Sequence, residues 1–408
     1  MKFKFFGGAE EIGSLGVLFE LEKNKILIEY GITPTKPPAY PIEAPNVDAI
    51  LLTHAHLDHS GMVPFQSNKY SIPIYLTAVT RDLARLLFYD SVKVADLEGF
   101  FSPYNNEDLE AIEENYMSIA YNKSFMIKDV EITGHSAGHI PGSTMYMIDD
   151  SQKTLFTGDL QTIDTELLKG CKSYSADTLF IESTYAGKEH PPRASTEREF
   201  LGKIEEVLDR KGKVIIPAFA VGRTQELMLV LKKLDREFYV DGMSNTVNHI
   251  LKHYPGYIKD AKEFSEVRKL AIPVTRKKER KQALENGLII TTSGMLEGGP
   301  VLGYLAQIKD DSKNAILFTG YQVENTNGRM LLETGILDLY GVRSRVMAEI
   351  HKYDFSAHAS HSELVKFINS TKAENVVLFH GDHREALAQD LDRNVILPVK
   401  GETYELKE

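Results

Sequence analysis

Cysteine occurs once in the 408 residues, at Cys171. A lone thiol excludes an internal disulfide framework and any zinc knuckle built from paired cysteines. No motif surrounds it, so a buried or half-buried packing role is expected. Long apolar runs are also missing. No segment approaches the roughly 20 residues of a membrane-spanning helix, and Met1-Lys-Phe-Lys-Phe-Phe6 meets Gly7-Gly8 without the apolar core of a secretory leader. A cytoplasmic protein with no membrane partner is expected. Excess positive charge is absent too: 58 acidic against 47 basic side chains leave a net charge of −11. That argues against broad, non-specific nucleic-acid binding, though a local groove is still allowed. Part of the acidity lies in Asn105-Asn-Glu-Asp-Leu-Glu-Ala-Ile-Glu-Glu114, expected to be a solvated helix face. The strongest opposite patch, Arg276-Lys-Lys-Glu-Arg-Lys281, reads first as solvated surface.

Apolar residues make up 42% of the chain, ordinary for a globular protein, and the length allows two domains and a large core. The densest chemistry is in Thr53-His-Ala-His-Leu-Asp-His-Ser-Gly61, which sets His54, His56, Asp58 and His59 within six residues. It follows Ala49-Ile-Leu-Leu52, which reads as a short buried strand. In an extended segment His54 and His56 point the same way, and the following turn can swing Asp58 and His59 towards a second point. Three imidazoles and a carboxylate suit zinc. Four donors cannot close two metal sites, so partners must come from elsewhere.

Other strand ends offer them. His139 sits in the glycine-flanked loop Ala137-Gly-His-Ile-Pro-Gly142, Asp159 follows Lys153-Thr-Leu-Phe-Thr-Gly158, and His380 follows Val376-Val-Leu-Phe379. Any one of these could be a turn former; their shared placement at strand ends favours one site.

Taken together, the His-x-His-x-Asp-His stretch with His139 and Asp159 resembles the metallo-β-lactamase superfamily. Phe180-Ile-Glu-Ser-Thr-Tyr185, Asp354-Phe-Ser-Ala-His-Ala359 and Leu378-Phe-His-Gly381 further resemble the extra motifs of its β-CASP nucleases, the group of the cleavage and polyadenylation endonuclease, its archaeal relatives and the J-type ribonucleases. The resemblance runs from Gly7 to His380 and implies an α/β protein, an αββα metallo-β-lactamase sandwich carrying an inserted α/β β-CASP domain. The expected boundaries are 1–188 and 354–408 for the sandwich and 189–353 for the insertion. No appended RNA-binding module, such as a KH domain, is expected.

The resemblance also implies roles. One zinc is expected on His54, His56 and His139, the other on Asp58, His59 and His380, with Asp159 bridging: two zinc ions in all. Glu29 stands where the superfamily usually has an aspartate orienting a metal-bound histidine, and is expected to act as that outer support. His358 has no ligand role left and fits a general acid, with Glu182 holding its other ring nitrogen; Asp58 counts both as ligand and as catalytic residue. His135, His190, His249, His253, His351, His361 and His383 fit no role and are expected to be surface or packing residues.

Within the inserted segment, Val214–Pro217, Phe238–Val240, Leu288–Thr292 and Ala315–Phe318 read as buried strands alternating with helices such as Arg223–Leu234. Three strands run into small-residue turns: Ala218–Arg223, Ser293–Gly299 and Thr319–Gln322. Such turns let a phosphate approach backbone N–H groups, so Arg223, Ser293, Gly294, Gly320 and Arg329 are expected to contact RNA. The function implied is a zinc-dependent ribonuclease of single-stranded RNA, an endonuclease in 3′-end processing or decay. Alternatives are a J-type 5′-to-3′ exoribonuclease and, weaker, a small-ester hydrolase, for which a large phosphate-reading insertion has no use. A homodimer and a processing partner follow from the resemblance only.

Overall fold

A computed structural model of the protein describes residues 1–406. The chain forms two compact units. The first comprises Met1–Asp164, Gly170–Glu189 and the chain from His358 onward; the second comprises Thr165–Lys169 and His190–Ala357.

The first unit holds two seven-stranded sheets. One runs in the order Thr403–Glu405, Lys2–Gly7, Gly16–Glu20, Lys25–Ile28, Ala49–Leu51, Ile74–Thr77, Tyr116–Ile119. The other runs Asn394–Ile396, Asn375–Phe379, Thr178–Glu182, Lys153–Phe156, Thr144–Asp149, Val130–Ser136, Ser124–Ile127. Side chains alternate across a strand, and the apolar pattern uses both faces. Phe156, Phe180 and Phe379 meet Phe3, Val17, Phe19, Ile28 and Leu51 between the sheets. The Phe180 ring lies 4.9 Å from Phe3 and 4.7 Å from Phe19; each such ring contributes about 2–3 kcal/mol by burial. The alternate residues Leu155, Leu179 and Leu378 face outward and pack with Leu364, Phe367 and Ile368 of the helix His361–Thr371. On the first sheet's side, the helix Ala78–Glu98 buries Val79, Leu83 and Phe88; Thr77 caps its start and left-handed Gly99 ends it. The layers are helix, sheet, sheet, helix.

In each sheet the central strands are parallel, so their carboxyl ends share an edge. Glu29, Thr53, Thr157, Glu182 and His380 lie at or just past those ends. That edge carries the site.

The second unit is built on a six-stranded, wholly parallel sheet. Its order is Ala271–Val274, Phe238–Asp241, Leu288–Thr291, Val214–Pro217, Ala315–Phe318, Glu349–Lys352. Continuous apolar strands suit a sheet covered on both faces: Ile215, Ile289 and Ile316 pack against Val301, Tyr304, Leu305 and Ile308 of the helix Pro300–Ile308. The connections from Val214–Pro217 and Leu288–Thr291 leave these adjacent strands in opposite directions across the sheet. Such a switch point is where open α/β sheets bind ligands. Among the described residues, no helix is long and apolar enough to cross a membrane.

Candidate metal centre

His54 and His56 leave the strand Ala49–Leu51, and Asp58 and His59 start the short helix Leu57–Ser60. The loop that carries them is held by a second loop. The backbone of Asp58 accepts from Leu15 N (2.9 Å), His59 from Tyr30 N (2.8 Å) and Leu57 from Ile32 N (2.8 Å). Between them stands Gly31, where an added Cβ would come within 1.7 Å of Asp58 O. Gly381 makes the same kind of approach: a Cβ there would come within 2.2 Å of Ser183 O. These close backbone contacts bring residues far apart in sequence to one point.

At that point His56 Nδ1 lies 3.2 Å from both His54 Nε2 and His139 Nε2. Asp159 Oδ2 lies 3.6 Å from His54 Nε2, 3.6 Å from His139 Nε2 and 3.2 Å from His59 Nε2, while its Oδ1 lies 3.3 Å from His380 Nδ1. Asp58 Oδ2 completes a second group, 3.8 Å from His59 Nε2 and 3.7 Å from His380 Nε2. Two donor sets result, His54–His56–His139–Asp159 and Asp58–His59–His380, with Asp159 touching members of both.

The chemistry of the set fits metal ions. Both nitrogens of His59, Oδ1 of Asp159 and Nε2 of His380 are buried without a hydrogen bond, an expensive state unless something charged is shared. His54 sharpens the point. Thr53 Oγ1 donates to Glu29, so it accepts from His54 Nδ1 at 3.0 Å; that leaves His54 Nε2 as a lone pair facing other ring nitrogens. Lone pairs converging in a buried space are favourable only around a cation.

Glu29 is fully buried, in the left-handed backbone region (φ 60°). Its carboxylate takes the Thr53 hydroxyl and lies 3.5 Å from His59 Nδ1, so it supports one histidine of each donor set. Burial pushes its pKa up, against the pull of His59 and Thr53. Burial acts likewise on His54, holding it well below the usual imidazole range. Burial would raise Asp159, yet His59, His380 and His358 hold it well below the usual carboxylate range.

His358 lies beside this cluster without belonging to either set. Its Nδ1 donates to Glu182 Oε1 at 2.8 Å, and Nε2 sits 4.0 Å from Asp159 Oδ2. Its side chain is 19% exposed, so one edge reaches solvent while the ring packs 4.6 Å from His139. Buried Glu182 also accepts from Leu160 N (3.0 Å) and Thr184 N (3.2 Å), which fixes the carboxylate before it fixes the imidazole. Burial pulls the His358 pKa down, but Glu182 and Asp159 outweigh it and lift it to about 9.

Thr53 and Gln161 are the contributors that motif reading missed. Thr53 relays Glu29 to His54, and Gln161 Nε2 holds the His358 carbonyl at 2.8 Å. Thr53 stood in the motif; nothing local marked Gln161. The histidines left without a role are mostly tied into structure, His135 to Asn122, His190 to Asp354, His351 to Glu349 and His361 to Asp390, at 2.7–2.9 Å. Burial pushes the Cys171 thiol up to about 12, as suits a packing residue.

In the second unit, the three turns do leave adjacent strands at one edge of the sheet. Gly294 and Gly320, however, stand against Phe219: a Cβ on Gly294 would meet Phe219 N at 3.1 Å, and one on Gly320 would meet its ring at 3.0 Å. Ser293 Oγ accepts from Glu297 N at 3.3 Å. Arg223 opens the helix Arg223–Leu231 beside the switch point and lies near enough to Asp354 to help lower its pKa against the upward push of burial, and Arg329 is engaged 2.5 Å from Glu333 on its own helix. Arg223 is the better placed of the two cations.

The Beta-Casp domain profile matches residues 224–331, the metallo-beta-lactamase superfamily domain profile 18–184, and the Zn-dependent metallo-hydrolase RNA specificity domain profile 343–400. The chain is 36% identical over 403 residues to "Probable RNase MJ4" of Methanocaldococcus jannaschii, covering 95% of this chain and 94% of that one. It is 34% identical over 427 residues to "Transcription termination factor FttA" of Methanococcus maripaludis, covering 94% and 67%. It is 33% identical over 426 residues to the "RNase J-like protein" of Methanocaldococcus jannaschii, covering 98% of each.

Proposed function

Because the chain belongs to the β-CASP family of the metallo-β-lactamase superfamily, we propose that it cuts single-stranded RNA by hydrolysis at two zinc ions, leaving a 5′-phosphate and a 3′-hydroxyl. It is a metal-dependent ribonuclease. The observation that carries the two-ion reading is the pair of donor sets sharing Asp159, next to a hydrogen-bonded His358–Glu182 pair that neither set uses. His54, His56 and His139 would hold one ion, Asp58, His59 and His380 the other, and Asp159 both. When bound, the ions supply Lewis acidity at phosphoryl oxygens and a positive charge that draws phosphate into an acidic protein.

The chain's own groups do the rest. Glu182 keeps the His358 proton on Nδ1 and the ring oriented, so that Nε2 carries the transferable proton. As water adds to phosphorus, giving up a proton to solvent, the bond to the ribose O3′ breaks, the His358 proton passes to O3′ so that the product leaves as an alcohol, and solvent reprotonates the imidazole. Asp58, a quarter exposed at 24%, orients the entering water in addition to its ligand role. Arg223 and the turns at Ser293, Gly294 and Gly320 hold the RNA backbone, with Arg329 contributing once released from Glu333.

Internal cutting fits the likeness to a transcription termination factor; the J-like relative keeps 5′-to-3′ exonuclease action as a second reading. The cytoplasmic reading follows from the missing leader-like and membrane-length apolar segments, and a homodimer and a processing partner belong to the same proposal. The test is digestion of a circular RNA beside a linear 5′-phosphorylated one, with metal analysis of the same preparation. Cutting of the circle and two zinc ions per chain are expected. Digestion of the linear RNA alone would leave the exonuclease reading; one tightly held ion, or iron, would count against the two-zinc assignment.

A further inference from the structure

The basic run Arg276–Lys281 has no part in the chemistry above, yet its surroundings set it apart. From Lys259 to Lys281 nine basic side chains face four acidic ones, in a chain of net charge −11. Several cations elsewhere in the second unit are paired, Lys232 with Glu263 and Glu266, Lys233 with Glu166 and Glu197, Arg210 with Glu206 and Glu349, while isolated ones such as Lys211, Arg236 and Lys252 make no ion pair among the described residues. Arg280 is committed inward, to Asp241 at 2.8 Å. Lys262, Arg268, Lys269, Arg276, Lys277 and Lys278 also make no ion pair among the described residues, but these six fall together in one short stretch of the chain; Glu266 lies near enough to feel Lys262 and Lys269, and Glu279 to feel Arg276.

Their place in the fold gives the cluster direction. The strand Ala271–Val274 is one edge of the parallel sheet, with Arg268 and Lys269 before its amino end and Arg276–Lys278 after its carboxyl end. Arg276, Lys277 and Lys278 are fully on the surface. Because the strands are parallel, these three leave the same sheet edge as the turns at Ala218–Arg223 and Ser293–Gly299. At about 4.8 Å per strand, the cluster stands roughly 14 Å along that edge from the Val214–Pro217 strand. Lys277 and Lys278 also occupy the first turn of the helix Lys277–Asn286, where cations are disfavoured by the helix dipole. That placement costs the helix a little stability, which Glu279 in the same turn offsets. A peptide adding as a further strand is a poor fit, since exposed Pro273 removes a backbone donor from this edge strand.

We propose that Arg276, Lys277 and Lys278 form an outlying phosphate-binding track for single-stranded RNA, continuing along the sheet edge from the turns that the ribonuclease reading assigns to the substrate. The track takes RNA that runs on beyond those turns, so it acts only on substrates long enough to occupy both. It rests on the ribonuclease reading for the identity of the polyanion.

The test compares wild type with R276Q/K277Q/K278Q on a long and a short unstructured RNA over a range of salt. Three lost phosphate contacts should make the slope of log(kcat/KM) against log salt shallower by about 2 on the long RNA. KM should rise by roughly tenfold or more with kcat unchanged, while the short RNA shows no change and the thermal midpoint does not fall. A matched variant neutralising Lys123, Lys366 and Lys372, surface lysines of the first unit, should leave the slope alone. An unchanged slope in the triple variant, or an equal loss on both RNAs, would overturn the track. If wild type cuts neither RNA the ribonuclease reading fails, and the salt slope of binding, read by fluorescence anisotropy on the same RNAs, still decides the track.

Discussion

At the scale of single residues, the centre separates groups that hold charge from groups that move it. The seven donors converge on one largely buried cluster, and removing any one would unbalance it. His358 differs in belonging to neither donor set: Glu182 holds it through Nδ1, while its Nε2 lies 4.0 Å from Asp159 Oδ2. Expelling a ribose alkoxide is difficult unless a proton arrives as the bond breaks, and a positioned acid contributes about 10²–10⁴-fold. His358→Ala should therefore keep its metal and bind RNA normally, yet cleave slowly by that order. Glu182→Gln should show a milder form, since Leu160 N and Thr184 N then face a neutral amide and the ring loses basicity. Replacing the bridging 3′-oxygen with sulfur, a leaving group that scarcely needs a proton, should restore much of the rate in His358→Ala and add little in wild type. An equal defect on both substrates, or metal lost from the variant, would make His358 a supporting residue only.

At the scale of elements, the site is made by backbone meeting backbone. The Glu29–Ile32 segment hydrogen-bonds to the Leu57–His59 loop at two points and Leu15 N adds a third, and Gly31 is the place where no side chain fits. Gly31→Ala should push Asp58 and His59 away from His380, so elemental analysis of the purified variant should find about one ion lost per chain, from the Asp58–His59–His380 set. Gly202→Ala is the control. It lies in the helix Arg193–Asp209 with nothing within 4 Å of an added Cβ, and alanine is favoured over glycine in a helix by roughly 1 kcal/mol. A Gly31→Ala protein with full metal content would show that the donor loop tolerates displacement and that the close approach matters only for packing.

At the scale of the whole molecule, every proposed ligand lies in the first unit, and the second has its own core around Ile215, Ile289, Ile316 and Leu305. Anything that binds only the folded state adds to its stability by mass action. Chelation should therefore weaken hydrogen-exchange protection in strands such as Lys153–Phe156 and Asn375–Phe379 and leave Val214–Pro217 and Leu288–Thr291 protected as before. Equal loss in both groups of strands would mean that the metal stabilises the chain as one cooperative block, and no loss in either would argue against tight metal binding.

Much of this was decided before folding. The apolar runs Ala49-Ile-Leu-Leu52 and Val376-Val-Leu-Phe379 already point to buried strands. The spacing of His54, His56, Asp58 and His59 after an apolar run already points to a metal at a strand end, because donor identity and two-residue periodicity are properties of the local chain. The overlap of the Beta-Casp match with the segment between the motifs at Glu182 and His358 follows from sequence as well. What only the tertiary structure decided is contact between residues remote in sequence. Examples are Glu29 reaching His54 through Thr53, Gln161 bracing His358 across nearly 200 positions, Gly31 yielding its space to Asp58, and the inward commitment of Arg280 that leaves Arg276, Lys277 and Lys278 facing water. A one-dimensional pattern records which groups a residue has, but whether a hydroxyl, an amide or a cation meets a partner depends on distances that only the packed chain sets.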